Sequence, residues 1–201
     1  QALGPHVDYV ALEVSSLPEV ARSEVQLTKL VRELVGEANS VPGGGPAVFL
    51  RVRSTGGSLD PAAAAAPTAA LAGGAAGLVV SSREADDDGG GAAGVGAAEL
   101  ADQAIAEVYR QTDGRLILIA NGCITNGREA LERVEAGATV VQISSILVTE
   151  GPQACRRIKD EISKALSNGG YVQLKDAVGA AHRKKKTKRK NLWKAKGGGD
   201  A

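Results

Sequence analysis

Short apolar runs rich in β-forming residues alternate with longer helical runs along most of this chain. Five of the apolar runs are predicted to be strands, and they cover residues 7–14, 46–52, 76–80, 116–120 and 138–143. Helical segments separate them, which is typical of consecutive parallel units of one strand and one helix. An open doubly wound sheet of about five strands and part of an eight-stranded parallel barrel both fit this pattern.

Apolar residues that recur every three or four positions predict the helices. One helix covers residues 27–35, an alanine-rich segment covers residues 61–73, and a third helix begins near Ala97. The last long helix lies between Pro152 and Gly169, which are suited to its start and its end. Its predicted inward-facing residues are Cys155, Ile158, Ile162 and Leu166.

The charge of the chain is divided between an acidic body and a basic carboxyl-terminal segment. Residues 1–182 carry 15 Lys and Arg residues and 22 Asp and Glu residues, a net charge of −7. Residues 183–201 carry nine basic residues and one Asp, a net charge of +8, although the whole chain is only +1. We therefore predict a folded domain over residues 1–183 and an extended tail over residues 184–201.

The basic segment is predicted to bind a polyanion, and RNA is the favoured ligand. Lys and Arg neutralise phosphates, and a Trp side chain stacks on an unpaired base. Anionic lipid, a targeting signal and a solvated tail without a partner are the alternatives. The residues predicted to contact RNA are Arg183, Lys184, Lys185, Lys186, Lys188, Arg189, Lys190, Trp193, Lys194 and Lys196.

The composition disfavours several classes of site and of protein. Cys123 and Cys155 lack the spacing of metal ligands and the chain has two histidines, so we predict neither a disulfide nor a metal site. No uncharged apolar run reaches the roughly 18 residues of a transmembrane helix. The first residue is Gln1 rather than Met, so we expect the amino terminus to have been processed away or to be missing from this sequence.

Two turns that follow predicted strands have the residues of a phosphate-binding loop. Residues 120–127 are Ala-Asn-Gly-Cys-Ile-Thr-Asn-Gly, and residues 143–145 are Ile-Ser-Ser. Small residues let backbone N–H groups approach an anion, and the amino terminus of a following helix favours negative charge. The alternative is that Gly and Ser only form tight turns between strand and helix, and the spacing does not decide between the two.

Four stretches resemble one enzyme family and occur in the order of that family. Residues 114–151 are similar to the last barrel segment of class 2, quinone-linked dihydroorotate dehydrogenases, and residues 176–183 (DAVGAAHR) to the carboxyl-terminal signature of that class. Val14-Ser15-Ser16 resembles the strand that carries the catalytic serine, and residues 90–94 (GGAAG) resemble the glycine loop. The resemblance implies a mitochondrial, FMN-dependent (β/α)8 barrel that oxidises dihydroorotate and reduces a quinone, of which this chain supplies the five units equivalent to strands 4–8.

The resemblance implies a serine at the position of the catalytic base but altered substrate contacts. Ser16 occupies the base position. Glu13 and Pro18 stand where the family has asparagines that bind substrate, and Ser82 replaces a third amide. Glu13 brings a carboxylate close to an anionic ligand and repels it. Each polar contact with the ligand that is lost costs on the order of 1–3 kcal/mol. We therefore predict that Ser16 is vestigial and that dihydroorotate is not oxidised.

The positions that the resemblance assigns to FMN are altered as well. Arg51 replaces a lysine and Cys123 replaces a glycine, while the family's Tyr-Thr pair after the last strand is Ser144-Ser145. An Arg in place of a Lys is not conservative where a contact depends on shape. We predict that FMN is absent or weakly held. The family's FMN positions in this sequence are Arg51, Ser81, Ser82, Gly91, Gly122, Cys123, Ser144 and Ser145.

The altered residues and the basic tail together favour a degenerate enzyme domain that is a structural subunit of a large mitochondrial assembly. A ribonucleoprotein is favoured by the tail, and the first hypothesis is the mitochondrial ribosome, with the tail on ribosomal RNA. The alternative hypothesis is an active dihydroorotate dehydrogenase of pyrimidine biosynthesis, with the rest of the barrel on another segment. In either case we expect other chains or segments to cover the sheet edges, because the unpaired N–H and C=O groups of an edge strand promote aggregation.

Overall fold

A parallel sheet forms the centre of the protein. The computed structural model describes residues 7–82 and 96–183. Its strands are β1 (Tyr9–Glu13), β2 (Ala47–Thr55), β3 (Ser58–Leu59), β4 (Gly77–Ser82), β5 (Ile117–Asn121) and β6 (Val140–Gln142). The order is β1-β2-β4-β5-β6 with every neighbouring pair parallel, and β3 pairs antiparallel with β2. The predicted series of five parallel βα units is therefore confirmed.

Helices follow the strands, as crossover connections require. They are α1 (Glu24–Asn39), α2 (Ala66–Gly73), α3 (Ala97–Gln111), α4 (Gly127–Ala136), α5 (Ser145–Glu150), α6 (Gln153–Asn168) and α7 (Leu174–Ala177). Short 3-10 turns occur at Val14–Ser16, Glu19–Arg22 and Pro61–Ala63. Within residues 7–82 and 96–183, we find no helix with the length and apolar character that crossing a bilayer requires.

The two faces of the sheet differ because side chains alternate along each strand. On the outer face, Leu50, Leu78 and Leu118 are fully buried against α1, α2 and α3. Burying each such side chain contributes roughly 1.5–3 kcal/mol, so this layer is the main core. The inner face carries a smaller apolar cluster centred on Phe49, Val79 and Ile119.

The structure corrects the prediction for the last long helix and its inward face. Helix α6 begins at Gln153, and this phase turns Ala154 and Ile158 inward. Cys155 is exposed, so its predicted burial was wrong. The end of the helix at Asn168, with Gly169 as its cap, agrees with the prediction.

The alanine-rich segment is shorter as a helix than predicted. Residues 61–63 form a 3-10 turn in which the N–H of Ala62 donates to the side chain of Asp60, and α2 begins only at Ala66. Before it, Gly56 and Gly57 adopt φ angles of +60° and +84° and join β2 to β3 as a two-residue hairpin. A Gly-Gly pair is suited to this turn because both positions need a positive φ.

The ring of Tyr109 attaches the carboxyl-terminal residues to the amino ends of the strands. A Cβ atom added to Gly114, Gly137 or Gly179 would lie only 2.5–2.9 Å from that ring. The ring of His182 stacks on it with a centroid distance of 4.9 Å, and its Nε2 lies 2.7 Å from the carbonyl oxygen of Ala136. Gly114 and Gly137 precede β5 and β6, so His182 lies at the edge of the sheet opposite the predicted catalytic residues.

Replacing Gly137 with Ala is expected to destabilise the protein. The residue has a φ of +133°, and the new methyl group would overlap the Tyr109 ring. The strain and the overlap together cost about 2–4 kcal/mol, measured by urea unfolding. Gly36→Ala is the control, since Gly36 lies inside α1 with no heavy atom within 4 Å of an added Cβ. Gly36→Ala should raise the free energy of unfolding by about 0.5–1 kcal/mol. Equal effects of the two substitutions would contradict the packing of Gly137 against the Tyr109 ring.

Candidate functional site

Polar side chains of neighbouring strands meet on the inner face at the carboxyl end of the sheet. The register places Glu13 beside Arg51, Arg53 beside Ser81, and Ser81 beside Asn121. These residues continue the inner-face positions of Phe49, Val79 and Ile119, which are apolar. The carboxyl ends of parallel strands are where ligands bind in barrels of this kind, so this row is the candidate site.

Hydrogen bonds and ion pairs connect this row. Arg51 Nε donates to Ser81 Oγ at 3.1 Å, and Asn121 Nδ2 donates to the same oxygen at 3.3 Å. The Glu13 carboxylate lies 3.4 Å from Arg51 Nε and 3.9 Å from Arg53 Nε, and it accepts a hydrogen bond from Ser15 Oγ. Ser81 is fully buried, whereas about a third of the side chains of Arg51 and Arg53 is exposed.

The segment that carries the predicted base leaves the sheet in a 3-10 turn. Arg22 fixes this turn, because its guanidinium donates to the carbonyl oxygens of Leu17 at 2.7 Å and Ser15 at 2.9 Å. Ser16 is exposed at the end of the turn, and Pro18 is exposed in extended backbone. The structure therefore brings Ser15, not Ser16, into the polar row.

Ser82 lies on the other side of its strand from Ser81. Its register partner is Ser54, and both side chains are buried on the side that faces the helices. The predicted pair Ser81-Ser82 is thus divided between the two faces of β4. Only Ser81 contacts Arg51 and Asn121.

The turn after β5 contains two consecutive residues with positive φ angles. Gly122 has a φ of +103° and Cys123 a φ of +54°, a region in which a residue with a side chain is strained by about 1–2 kcal/mol. The carbonyl oxygen of Cys123 accepts a hydrogen bond from Arg133 at 3.4 Å. The left-handed conformation at Cys123 explains why a glycine suits this position.

Arg133 is a buried cation that supports the same turn from behind. Its side chain is 1% exposed, donates to the carbonyl oxygen of Ala98 at 2.6 Å and forms an ion pair with Asp102. Burial raises the pKa of the Asp102 carboxyl above its usual 3.8, and the guanidinium of Arg133 opposes that rise. Removing one partner would leave the other charge uncompensated, a loss of about 3–5 kcal/mol for fully buried pairs.

The amino terminus of α4 does not fit a phosphate group. The N–H groups of Arg128 and Glu129 both donate to the side chain of Asn126 at 3.0 Å. The N–H of Gly127 donates to Glu161 at 2.7 Å, and the N–H of Thr125 donates to Glu129 at 2.7 Å. Four donors that an anion would need are already bonded to the protein, and two of their acceptors are carboxylates that repel a phosphate.

Glu161 also joins this turn to α5 and α6. Its carboxylate accepts from Arg157 at 2.8 Å, and Arg157 in turn donates to Glu150 and to the carbonyl oxygen of Thr125. The hydrogen bond from Gly127, followed by the one from Arg157, lowers the pKa of Glu161 below its usual 4.5. The carboxylate form of Glu161 is therefore the form that the fold prefers.

The second predicted phosphate turn is more open. Ser144 and Ser145 are exposed at the start of α5, which has six residues, and the Ser144 side chain makes no capping hydrogen bond there.

Gly91 and residues 184–196 lie outside the described residues, so the predictions for them stay predictions. Nor do three His, Cys, Asp or Glu side chains come together as metal ligands within residues 7–82 and 96–183.

Comparison with known proteins assigns the second half of this sheet to a family. The sequence model of the family described as dihydroorotate dehydrogenase matches residues 68–166. Over these residues, just under half of the chain, the protein is similar to the dihydroorotate dehydrogenase family. One relative is the dihydroorotate dehydrogenase (quinone) of Rhodospirillum rubrum, which is 46% identical over 83 residues, 41% of this chain and 23% of that protein. The mitochondrial dihydroorotate dehydrogenase (quinone) of Mus musculus is 36% identical over 86 residues, 43% of this chain and 22% of that protein.

Solved dihydroorotate dehydrogenase structures share the fold over more of the chain. Eimeria tenella DHODH in complex with ferulenol superimposes with a TM-score of 0.72 and 21% identity, over 90% of this chain and 55% of that one. The ligand-free form gives a TM-score of 0.73 and covers 58% of that chain. The protein thus spans a little more than half of a solved dihydroorotate dehydrogenase structure, and its aligned segment spans about a quarter of the curated relatives.

Several residues of the site were missed at the level of sequence. Arg53 lies two positions after Arg51 on the same face of β2, and strand alternation alone could have placed it there. Asn121 was named only as part of a turn, although it is the last residue of β5 and contacts Ser81. Arg133 and Glu161 had no sequence signal, because Ala98 and Gly127, to which they are bonded, lie 35 and 34 residues away along the chain.

The link through Glu161 predicts a specific dependence of stability on pH. Because the folded state lowers the pKa of Glu161, its contribution is present above 4.5, the unfolded value, and disappears as the pH falls through the folded value. Glu161→Gln should therefore be less stable than the parent at about pH 7, and the difference should shrink in acid. Urea unfolding over a pH series measures this. Glu33→Gln, on the exposed surface of α1, is the control, and a pH-independent difference for Glu161→Gln would contradict the prediction.

Proposed function

We propose that this protein is a dihydroorotate dehydrogenase-like domain that does not oxidise dihydroorotate and is a structural subunit of a mitochondrial ribonucleoprotein. The observation that supports the first part is the ion pairing of Glu13 with Arg51 and Arg53 on the inner face. In the family that residues 114–151 resemble, the positions of Glu13 and Arg51 belong to an asparagine and a lysine. A set of three charges that form ion pairs with one another replaces them here.

The electrostatics of the row disfavour the substrate. Dihydroorotate carries a carboxylate, and Glu13 already holds the two guanidinium groups that would neutralise it. A ligand must displace Glu13 or accept its repulsion, and two unit charges 4 Å apart near the surface of a protein interact by about 4 kcal/mol. The exposed position of Ser16 adds to this, because a base has to lie within hydrogen-bond reach of the proton that it removes.

The turn after β5 also disfavours FMN. The first N–H groups of α4 are bonded to Asn126 and Glu161, and the N–H of Thr125 just before the helix is bonded to Glu129, so a flavin phosphate there would have to displace internal acceptors. Gly122, Ser144 and Ser145 offer a more open backbone. Weak or absent FMN binding is therefore part of the proposal.

Other chains of an assembly are the proposed partners because the sheet is open at both ends. Tyr9 and Val140, on the two edge strands, are 41% and 48% exposed. The chain covers 55–58% of the Eimeria tenella structures, so strands from elsewhere are needed to close a barrel. A polypeptide segment that pairs with β1 and β6 would bury these residues.

The proposed location is the mitochondrion, and the proposed assembly is the mitochondrial ribosome. Relatives from Mus musculus and Arabidopsis thaliana carry the word mitochondrial in their names. The body has a net charge of −7 and is repelled by phosphate, so RNA contact is assigned to residues 183–196. Their nine basic residues and Trp193 support RNA rather than a membrane surface, because they form no apolar face of the kind that a membrane-bound helix needs.

An active dihydroorotate dehydrogenase (quinone) is the second candidate. It is favoured by the family match over residues 68–166 and by the contact of Arg51 and Asn121 with Ser81 at the ligand-binding edge. On this hypothesis another segment supplies the rest of the barrel, and the ion pairs of Glu13 with Arg51 and Arg53 break when substrate binds.

The two candidates differ in turnover. We expect the purified chain to show no dihydroorotate-dependent quinone reduction and no stoichiometric yellow chromophore after gel filtration. Glu13→Asn should not restore activity, because substrate contacts act as a unit. A second measurement adds the amino-terminal half of a dihydroorotate dehydrogenase barrel as a separate chain. It tests whether completing the barrel is enough to restore turnover. Activity or retained flavin in either sample would favour the second candidate.

The tail prediction is tested by truncation. A chain that ends at His182 should lose RNA binding, while the full chain should bind RNA with a salt slope of roughly −0.7 to −0.9 per phosphate neutralised. Trp193→Ala should weaken binding by about 1–3 kcal/mol if the indole stacks on an unpaired base. Vesicles of anionic phospholipid serve as the competing ligand. Unchanged RNA binding after truncation, or a preference for vesicles, would contradict the ribonucleoprotein proposal.

A further inference from the structure

A groove lies between α3 and α4, at a distance from the polar row of the candidate functional site. Asp102 and Ala106 of α3 line one wall, and Glu132 and Ala136 of α4 line the other. His182, at the opposite edge of the sheet from that row, completes the lining. The volume is about 290 Å³, close to the lower limit of roughly 300–1,000 Å³ for pockets that hold small molecules. The groove can therefore accommodate one large side chain, whereas a helix would not fit.

The rim of this groove is acidic on both sides. Glu99 and Asp102 are three positions apart on α3 and therefore share one face of that helix. Glu132 and Glu135 have the same relation on α4. Burial is the main cause that raises the pKa of the Asp102 carboxyl, and the charges of Glu132 and Glu99 add to the rise. The carboxylates of the two helices are thus close enough to influence one another.

Cations compensate only part of this charge. Arg133 forms an ion pair with Asp102, and Arg128 lies 3.0 Å from Glu132. Farther along α3, the acidic residue at position 107 and the basic residue at position 110 cancel. Four carboxylates against two cations leave an excess of two negative charges on the rim. The apolar part of the lining consists of the methyl groups of Ala106, Ala136 and Ala181.

The carboxyl-terminal segment combines the residues that such a groove would bind. Leu192 and Trp193 lie within residues 183–196, which carry nine basic residues. Trp193 follows Arg183 by ten residues, and ten extended residues span at most about 33–36 Å. Helix α3 has 15 residues and is roughly 22 Å long. Because the segment begins directly after His182, Trp193 can reach any part of the groove.

We propose that Trp193 docks into this groove of its own chain, with the indole on the three alanines and the neighbouring basic side chains on the acidic rim. A Trp side chain has a large apolar surface together with one polar N–H group, which suits a site that is apolar inside and polar at its edge. The short connection raises the local concentration of the segment to about the millimolar range, so even a weak contact is populated.

The inference goes beyond the proposed function, since neither dihydroorotate nor RNA takes part in the contact. If residues 183–196 also bind RNA as proposed, the groove competes with RNA for the same side chains and lowers their apparent affinity for it. The decisive measurement needs no RNA. Its failure would therefore leave the truncation test of RNA binding unaffected, and failure of the truncation test would leave the docking measurement unaffected.

Fluorescence reports directly on the docked state, because Trp193 is the only Trp of the chain. In about 0.1 M sodium chloride, we expect the full chain to show blue-shifted emission and about half the acrylamide quenching of a synthetic peptide of residues 184–201. About 1 M sodium chloride shortens the screening length from about 10 Å to about 3 Å and should bring the two samples together. Dilution by about a hundredfold should change nothing, because the contact lies within one molecule.

Two matched double variants locate the contact. Glu99→Gln with Glu132→Gln removes two charges of the rim, and both side chains are at least partly exposed, so the fold should be kept. We expect this variant to be quenched about as strongly as the peptide in 0.1 M salt. Glu33→Gln with Glu37→Gln removes the same charge from the exposed surface of α1 and should behave like the parent. Circular dichroism checks the fold of both variants.

Three results would overturn the proposal. Quenching of the parent that equals that of the peptide in 0.1 M salt means that Trp193 is not docked. Equal responses of the two double variants mean that the overall charge of the body, and not the groove, attracts the segment. Loss of protection on dilution means that the segment docks onto a second copy of the chain. The first and third results need no substitution, so they decide the question even if a variant fails to fold.

Discussion

The parallel register of β1, β2, β4 and β5 determines which side chains of this protein meet. Because the strands run in one direction, their carboxyl ends lie along one edge, and residues far apart in sequence become neighbours there. Glu13, Arg51, Ser81 and Asn121 are brought together in this way. A shift of one residue in any strand would exchange the two faces and separate these groups. Burial of Leu50, Leu78 and Leu118 on the outer face fixes the register, so the core and the site depend on the same alternation.

The strands and their direction could be predicted from the sequence, whereas the contacts within the site could not. Apolar runs near residues 46–52 and 76–80 are long enough, and separated by enough residues, to imply parallel strands with crossovers. The phase of a helix is harder to predict, as Cys155 shows: Ala154, four residues before the buried Ile158, turns inward, and Cys155 beside it is exposed. A thiol and a methyl group are both compatible with burial, so the pattern alone did not decide.

The turn after β5 shows why a motif of small residues is insufficient to define an anion site. Residues 120–127 have the composition of a phosphate loop, but the first donors of the following helix are bonded to Asn126 and Glu161, and the N–H of Thr125 is bonded to Glu129. Glu161 comes from α6, and nothing near Gly127 in the sequence indicates it. Whether N–H groups are available to a ligand is a property of the tertiary structure. The same holds for Arg133 of α4, which donates to the carbonyl oxygen of Cys123 and forms an ion pair with Asp102 of α3.

The charges of the inner face have to be considered as a set. Arg51 and Arg53 repel each other because they lie on the same face of one strand, and Glu13 stabilises both by lying between them. An asparagine at position 13 would remove the ion pairs that Glu13 makes with both guanidinium groups. The replacement of a neutral amide by Glu13 is thus coupled to the presence of the arginines. A mutation that restores one residue of the family pattern would meet an environment adapted to the others, and the energetic effects of these positions are not additive.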